Sequence, residues 1–372
     1  MKREWRSPDS FSSDDWSRLR TNTEAWWSGD LDRPLIAARV ILPQETLSPL
    51  GLPVYHNVAQ YRIDEPMEAI IETYAWYLRR HVRYSGDAYP DMWANFGPTF
   101  LSALAGGELV ADESTTWVHK IPGMTIDHLH FHLDANNAWH RRYEKFCRDT
   151  SDYWQGKVQI GYCTGGLLDA ISALLGTEEL LFALVDEPEE VLRALSEAEA
   201  LSWHYYHLAH GYLSRHNPGY SCWAGIFSEK PYQILVSDSI CQLSPEMFKE
   251  FAFPALERFC KQTDRTFYHL DGPGALRHLD SFLSITELKG IQWVPGAGET
   301  RPWDEWSEVI RRILGAGKKV QLSAGLGGVH EMEQFDRLVQ KLGTGKGITA
   351  NLYGGPGDIP VIEKFLERHG VI

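Results

Sequence analysis

The run Arg265-Thr266-Phe267-Tyr268-His269-Leu270-Asp271-Gly272-Pro273-Gly274 joins β-forming residues to a histidine and an aspartate two apart, then breaks on Gly-Pro-Gly. Residues i and i+2 of a strand share a face, so His269 and Asp271 point together while Tyr268 and Leu270 point away. An imidazole and a carboxylate on one face can bind a metal, or one can orient the other for proton transfer. The bland counterpart is a histidine held by a neighbouring loop and an aspartate capping the next helix. Asp91, in Tyr89-Pro90-Asp91-Met92-Trp93, is an acid at the end of an apolar strand, suited to acid–base work or to holding an arginine. Asp238, in Val236-Ser237-Asp238-Ser239, is a strand-exit acid or the cap of a following turn. Trp93, Trp223 and Trp293 are stacking platforms or core, and Tyr162 and Tyr353 close two further strands.

These groups need elements to place them. Candidate strands are Pro34–Leu42, Asp87–Ala94, Val158–Thr164, Tyr220–Phe227 or Ile234–Asp238, Arg265–Asp271, Gly290–Val294, Lys319–Ala324 and Ile348–Tyr353. Most are followed by a helical pattern. Eight strand–helix units predict an α/β fold, a (β/α)8 TIM barrel over residues 34–372, with reactive groups at the strand C-termini. Residues 1–33 read as an N-terminal helical extension carrying Trp16, Trp26 and Trp27. Helix signals are local. Ser244-Pro245-Glu246 offers an N-cap, a first-turn proline and an acid at the positive helix end, and Pro254 predicts a kink. Leu109–Lys120 and Asp127–Asp134, separated by Ile121-Pro122-Gly123, predict an inserted β-hairpin.

On the second arm of that hairpin, His128, His130 and His132 would share a face and could hold zinc. Alternation of Leu129, Phe131 and Leu133 with a solvated polar face accounts for the same pattern without a metal. The glycine loops at Gly325–Gly328 and Gly354-Gly355-Pro356-Gly357 match no phosphate-binding fingerprint and read as turns, and a G-x-S-x-G elbow is absent.

Composition narrows the partners. With 36 Lys and Arg against 50 Asp and Glu, the net charge of −14 argues against nucleic acid or an anionic membrane. Five scattered cysteines without a paired framework, no secretory leader and no long apolar run predict a cytoplasmic, globular protein.

The order of motifs carries a resemblance. Gly161-Tyr162-Cys163-Thr164-Gly165-Gly166, Asp186-Glu187-Pro188, Ser237-Asp238-Ser239 followed by Leu243-Ser244-Pro245-Glu246-Met247-Phe248 and Phe253-Pro254, His269-Leu270-Asp271-Gly272 and Asn351-Leu352-Tyr353-Gly354-Gly355 resemble the uroporphyrinogen decarboxylase superfamily over roughly residues 85–370. Its methyltransferase branch includes zinc-dependent, cobalamin-linked enzymes and is akin to cobalamin-independent methionine synthase. The resemblance implies a barrel with its site at the strand C-termini, and it sets Asp91 where the decarboxylase has its catalytic aspartate. Asp271 stands where the methyltransferases carry the cysteine of H-x-C-G, and the late motif at Tyr353 has no cysteine. His269 and Asp271 are then expected to hold zinc or a harder divalent ion, with Asp238 or Cys222 as a further ligand.

The leading expectation is a metal-dependent, methyltransferase-like enzyme acting on a small polar or methoxylated ring substrate. In it His269 and Asp271 hold the metal, Asp91 is the acid–base group, and Trp93, Tyr162, Trp223, Asp238, Trp293 and Tyr353 meet the substrate. Expected partners are the substrate, a corrinoid protein and a second copy of the chain in a homodimer. One alternative is a metal-independent decarboxylase or carbon–oxygen lyase, with Asp91 stabilising positive charge and His269 delivering the proton. The other is a non-catalytic ligand-binding barrel.

Overall fold

The computed structural model describes residues 5–43, 46–112, 115–163, 165–326 and 328–372, so Thr164 and Gly327 of the motifs above lie outside the described residues. The strands are β1 (Leu35–Ile41), β2 (Val82–Gly86), β3 (Asp91–Trp93), β4 (Leu109–Ala111), β5 (Thr116–Val118), β6 (Gln159–Gly161), β7 (Tyr232–Val236), β8 (Arg265–Asp271), β9 (Leu288–Val294), β10 (Lys319–Leu326) and β11 (Ile348–Gly354). Helices follow β6 to β11, as apolar strands alternating with amphipathic segments require. The result is a mixed α/β fold around a parallel sheet.

The ladder runs β2-β1-β11-β10-β9-β8-β7, parallel throughout except for the antiparallel edge strand β2. A separate parallel pair joins β3 to β6. Among the described residues no ladder closes these into one eight-stranded barrel. The reason is visible at both gaps. Strand β2 occupies the free edge of β1, from Ala37 opposite Gly86 to Ile41 opposite Val82. Beside β6 the irregular segment at Ser221 supplies the acceptor for Tyr162 N–H at 3.1 Å, where β7 would otherwise pair. Of the two options for the fourth expected strand, the one near Ile234 forms. Tyr220–Phe227 makes only an isolated bridge, Tyr220 to Ser228.

The expected hairpin also differs. It is β4 against β5, closed by Asp112, whose carboxylate accepts the Thr115 N–H at 2.8 Å. Residues 126–134 are no strand: Ile126–His128 form a 3-10 turn bonded back to Thr125, and further backbone partners come from the helix Pro188–Leu213. Arg193 donates to the Ile126 and Leu129 carbonyls at 2.8 and 3.1 Å, and Glu197 accepts the Phe131 N–H at 3.0 Å. Leu129 and Phe131 are buried and His128, His130 and His132 exposed, so the polar face is solvated even without a ladder.

The helix Ser13–Ser28 starts on a Ser12–Asp15 capping box and ends at Gly29, whose φ of 86° suits only glycine comfortably. It lies across the strand starts. Trp26 packs on Phe267 and donates to the Ile348 carbonyl at 3.2 Å, and Arg265 and Lys319 sit over Trp27 and Trp26. Near Pro254 the helix is not simply kinked. Residues Phe248–Ala252 form a π-turn before Phe253–Gln262 resumes α geometry, as expected where a proline removes one backbone donor.

Candidate functional site

Alternation along β8 sets the site. Tyr268 and Leu270 are buried, with Tyr268 against Phe282, while His269 and Asp271 face the other way. Val236 pairs with His269, so the chain leaving β7 delivers Asp238 beside it, His269 Nε2 lying 4.0 Å from Asp238 Oδ1. Asp238, His269 and Asp271 each offer a ligand atom within 4.8 Å of the others. Asp238 is held there by Asp169, whose carboxylate accepts the Asp238 and Ser239 N–H groups at 3.0 and 2.8 Å and the Ser239 hydroxyl at 2.6 Å.

The Asp238 side chain keeps 64 % of its surface open because it faces a concavity, but protein crowds its other sides. That crowding, then the Asp169 carboxylate, raise its pKa to about 6, with Asp271 adding repulsion and His269 opposing. Asp271 Oδ1 is buried with no hydrogen-bond partner. A buried, unpaired carboxylate oxygen beside an imidazole and a second crowded carboxylate suits a cation, which would relieve both strains. One nitrogen and two carboxylates form a hard donor set, fitting zinc or a similar divalent ion rather than a thiolate centre.

A cavity of ≈ 310 Å³ opens in front of the cluster, with Trp93, Phe96, Phe100, Tyr143, Trp223 and His269 among its walls. Trp223 meets the His269 ring edge-on at 5.1 Å and Trp93 at 6.4 Å. Among the described residues no Lys or Arg lines it, so its chemistry is aromatic wall and acidic end. A void of ≈ 50 Å³ behind β7 and β8, walled by Leu235, Phe251, Phe259 and Tyr268, offers no comparable set of polar groups.

Of the expected site residues, Trp93, Trp223, Asp238, His269 and Asp271 are brought together. Asp91 is elsewhere engaged. Its Oδ1 accepts from Arg39 Nε and Nη2 at 3.2 and 3.1 Å, and Arg39 is 5 % exposed. Burial works against the guanidinium charge, but Asp91, with Tyr353, Tyr89 and Tyr84 adding to it, outweighs burial and the Arg39 pKa is raised. Trp293 is fully buried against Trp306 at 4.9 Å, on the face of β9 away from the cavity. Tyr162 packs on Tyr206 and borders a different cavity with His210, at 3.3 Å from its hydroxyl. Tyr353 is 41 % exposed near Arg39 and outside the aromatic walls. Cys222 is buried, its thiol toward the Tyr232 hydroxyl, and burial pushes its pKa up to about 12, so Asp238 and not Cys222 completes the cluster.

Sequence reasoning passed over Asp169, Arg39, Gln292 and Gln321. Gln292 Oε1 lies 2.5 Å from His269 Nδ1, and its Nε2 donates to Gln321 Oε1 at 2.9 Å. A usable signal existed. Ala38-Arg39-Val40, Ile291-Gln292-Trp293 and Val320-Gln321-Leu322 each set one polar residue between apolar neighbours of a parallel strand.

No protein-family model matches the chain, and no curated protein does. No helix among the described residues is long and apolar enough to cross a membrane. Among solved structures, the fold is similar to that of a methyltransferase from Methanosarcina mazei, with a TM-score of 0.59 and 11 % sequence identity, over 95 % of this chain and 98 % of that one.

Proposed function

We propose that the chain is a cytoplasmic, metal-dependent methyltransferase-like enzyme of the uroporphyrinogen decarboxylase superfamily, acting on a small ring substrate such as a methyl ether. The observation that carries this reading is the Asp238–His269–Asp271 cluster at the end of an aromatic cavity. The shared fold with a methyltransferase supports it. Zinc or another divalent ion held there would act as a Lewis acid on an ether oxygen or on the acceptor nucleophile.

The residues of the chain supply the rest. Trp93 and Trp223 offer flat faces to a ring, and aromatic and aliphatic walls surround the reacting end. Without a cation among the walls, the cavity favours a neutral or positively charged ligand over an anion. Asp169 fixes Asp238, and Asp91 acts on the site through Arg39 and Asn351 rather than as a free acid. That engagement weighs against the metal-independent decarboxylase or lyase, which needs Asp91 free.

A corrinoid protein fits as the methyl-exchanging partner, and a homodimer as the assembly. The six- and two-stranded parallel sheets read as one interrupted (β/α)8 barrel, since side chains from β3, β1, β11, β10, β9 and β8 join in one hydrogen-bonded series.

The test is Zn2+ titration of the purified, chelator-treated protein, followed by methyl transfer from methoxylated rings to a corrinoid. One equivalent is expected to bind. His269→Ala and Asp271→Ala should each abolish binding and activity nearly as far as the double variant does, because ligands of one ion are strongly non-additive. Independent, additive effects of the two substitutions, or a wild type that takes up no divalent ion, would sink the metal reading.

A further inference from the structure

We infer that Gln292 and Gln321 are positioning residues that hold His269 as its Nδ1–H tautomer, and that the direction is set by the backbone carbonyl of Ala224. The inference rests on the proposed function only in giving the free Nε2 a ligand's task.

The argument follows hydrogen-bond polarity. The Ala224 carbonyl only accepts, so the Gln321 group 2.6 Å from it must be the amide NH2. The oxygen of Gln321 therefore points along the sheet to Gln292, which must answer with its own NH2, at 2.9 Å. That leaves the Gln292 oxygen facing His269 Nδ1, where only an N–H satisfies it. Reversing either amide would set two acceptors or two donors against each other among side chains 2 % and 1 % exposed, where unpaired polar groups are expensive.

A second donor fastens the same carbonyl. Arg39, which can only donate, gives an N–H to Asn351 Oδ1 at 3.2 Å, and Asn351 Nδ2 then donates to Ala224 O at 3.2 Å. Both sides of the chain thus agree on the polarity. Register explains the reach, since Gln292 pairs with His269 on one side and with Gln321 on the other. With Nδ1 protonated, the lone pair of Nε2 faces Asp238 and the cluster, the tautomer a divalent ion requires.

The experiment is long-range 1H–15N correlation of the histidine rings in the chelator-treated full chain at neutral pH, with the His269 signal assigned from a His269→Gln sample. The wild type should show Nδ1 protonated and Nε2 bare. Gln292→Met, which removes the acceptor, and Gln321→Met, which frees Gln292 to rotate while touching neither His269 nor the cluster, should both lose that preference. Each should weaken Zn2+ binding by about 10- to 100-fold. The double variant should be no weaker than Gln292→Met alone, because both act through one path. Gln292→Glu, which keeps an acceptor, should retain the wild-type tautomer.

An Nε2–H tautomer in the wild type overturns the inference, and that spectrum needs no variant to fold. So does a Gln321→Met spectrum identical to wild type. A wild-type chain with the expected tautomer that binds no Zn2+ would instead defeat the proposed function and leave this positioning intact.

Discussion

Asp91 and Arg39 show how one residue pair separates support from chemistry. The Arg39 side chain is 7 % exposed and that of Asp91 27 %, so removing the carboxylate charge leaves a guanidinium buried with Asn351 as its remaining side-chain partner. Asp91→Asn should lower unfolding stability by about 3 kcal/mol, read as a shifted denaturant midpoint at unchanged slope. Adding Arg39→Met should recover part of that loss. A stable Asp91→Asn protein that has lost activity would restore Asp91 to an acid–base role. At this scale the sequence is legible where strand parity and a strand exit coincide, as for His269, Asp271 and Asp238. It misleads at Trp293, because which face of β9 looks inward depends on Gln292 pairing with His269 across strands, a register no single segment encodes.

Elements carry two further tests. Gly290 on β9 is needed for what lies beside it: a Cβ there would come 2.1 Å from the ring of buried Phe267. Gly290→Ala should cost about 1–3 kcal/mol, and Phe267→Leu in the same chain should relieve much of it in thermal unfolding. The N-terminal helix offers a pH test. The hydrogen bonds from Arg265 hold the Glu24 carboxyl below its usual range, with Lys230 adding a weaker attraction. A depressed carboxylate contributes stability that is complete above its unfolded pKa of about 4.5 and fades as pH falls through the lower folded value. Glu24→Gln should therefore cost about 2 kcal/mol near pH 7, with the difference from wild type vanishing at acidic pH. A gap that persists unchanged below pH 3 would refute the ionic account.

Helices were legible from caps and periodicity, as at Ser244-Pro245, because those signals lie within a few residues. The second arm of the hairpin was not. Its Leu129 carbonyl and Phe131 N–H bond to Arg193 and Glu197 of a helix more than sixty residues on, and local alternation cannot reveal such partners.

For the whole molecule, a bound ion should act on folding by mass action. Zn2+ at a hundredfold over its dissociation constant should raise unfolding free energy by about 2.7 kcal/mol, and calorimetry of Asp238→Asn should show no such rise. Strand–helix alternation from β6 to β11 announced the α/β class, whereas closure of the sheet rests on edges that β2 and the Ser221 segment occupy. The lid of tryptophans beneath the sheet has a consequence in time. Trp26 is 1 % exposed, yet its carbonyl partner Ile348 comes 322 residues later. Strand β11, which must slide between β1 and β10, belongs to that same late stretch. At a synthesis rate of about 5–20 residues per second, Trp26 and the β11-facing edge of β1 wait roughly 16–64 s for their last partners. During that interval the nascent chain displays the Trp26 indole and an unpaired edge of β1, which chaperones would have to shield.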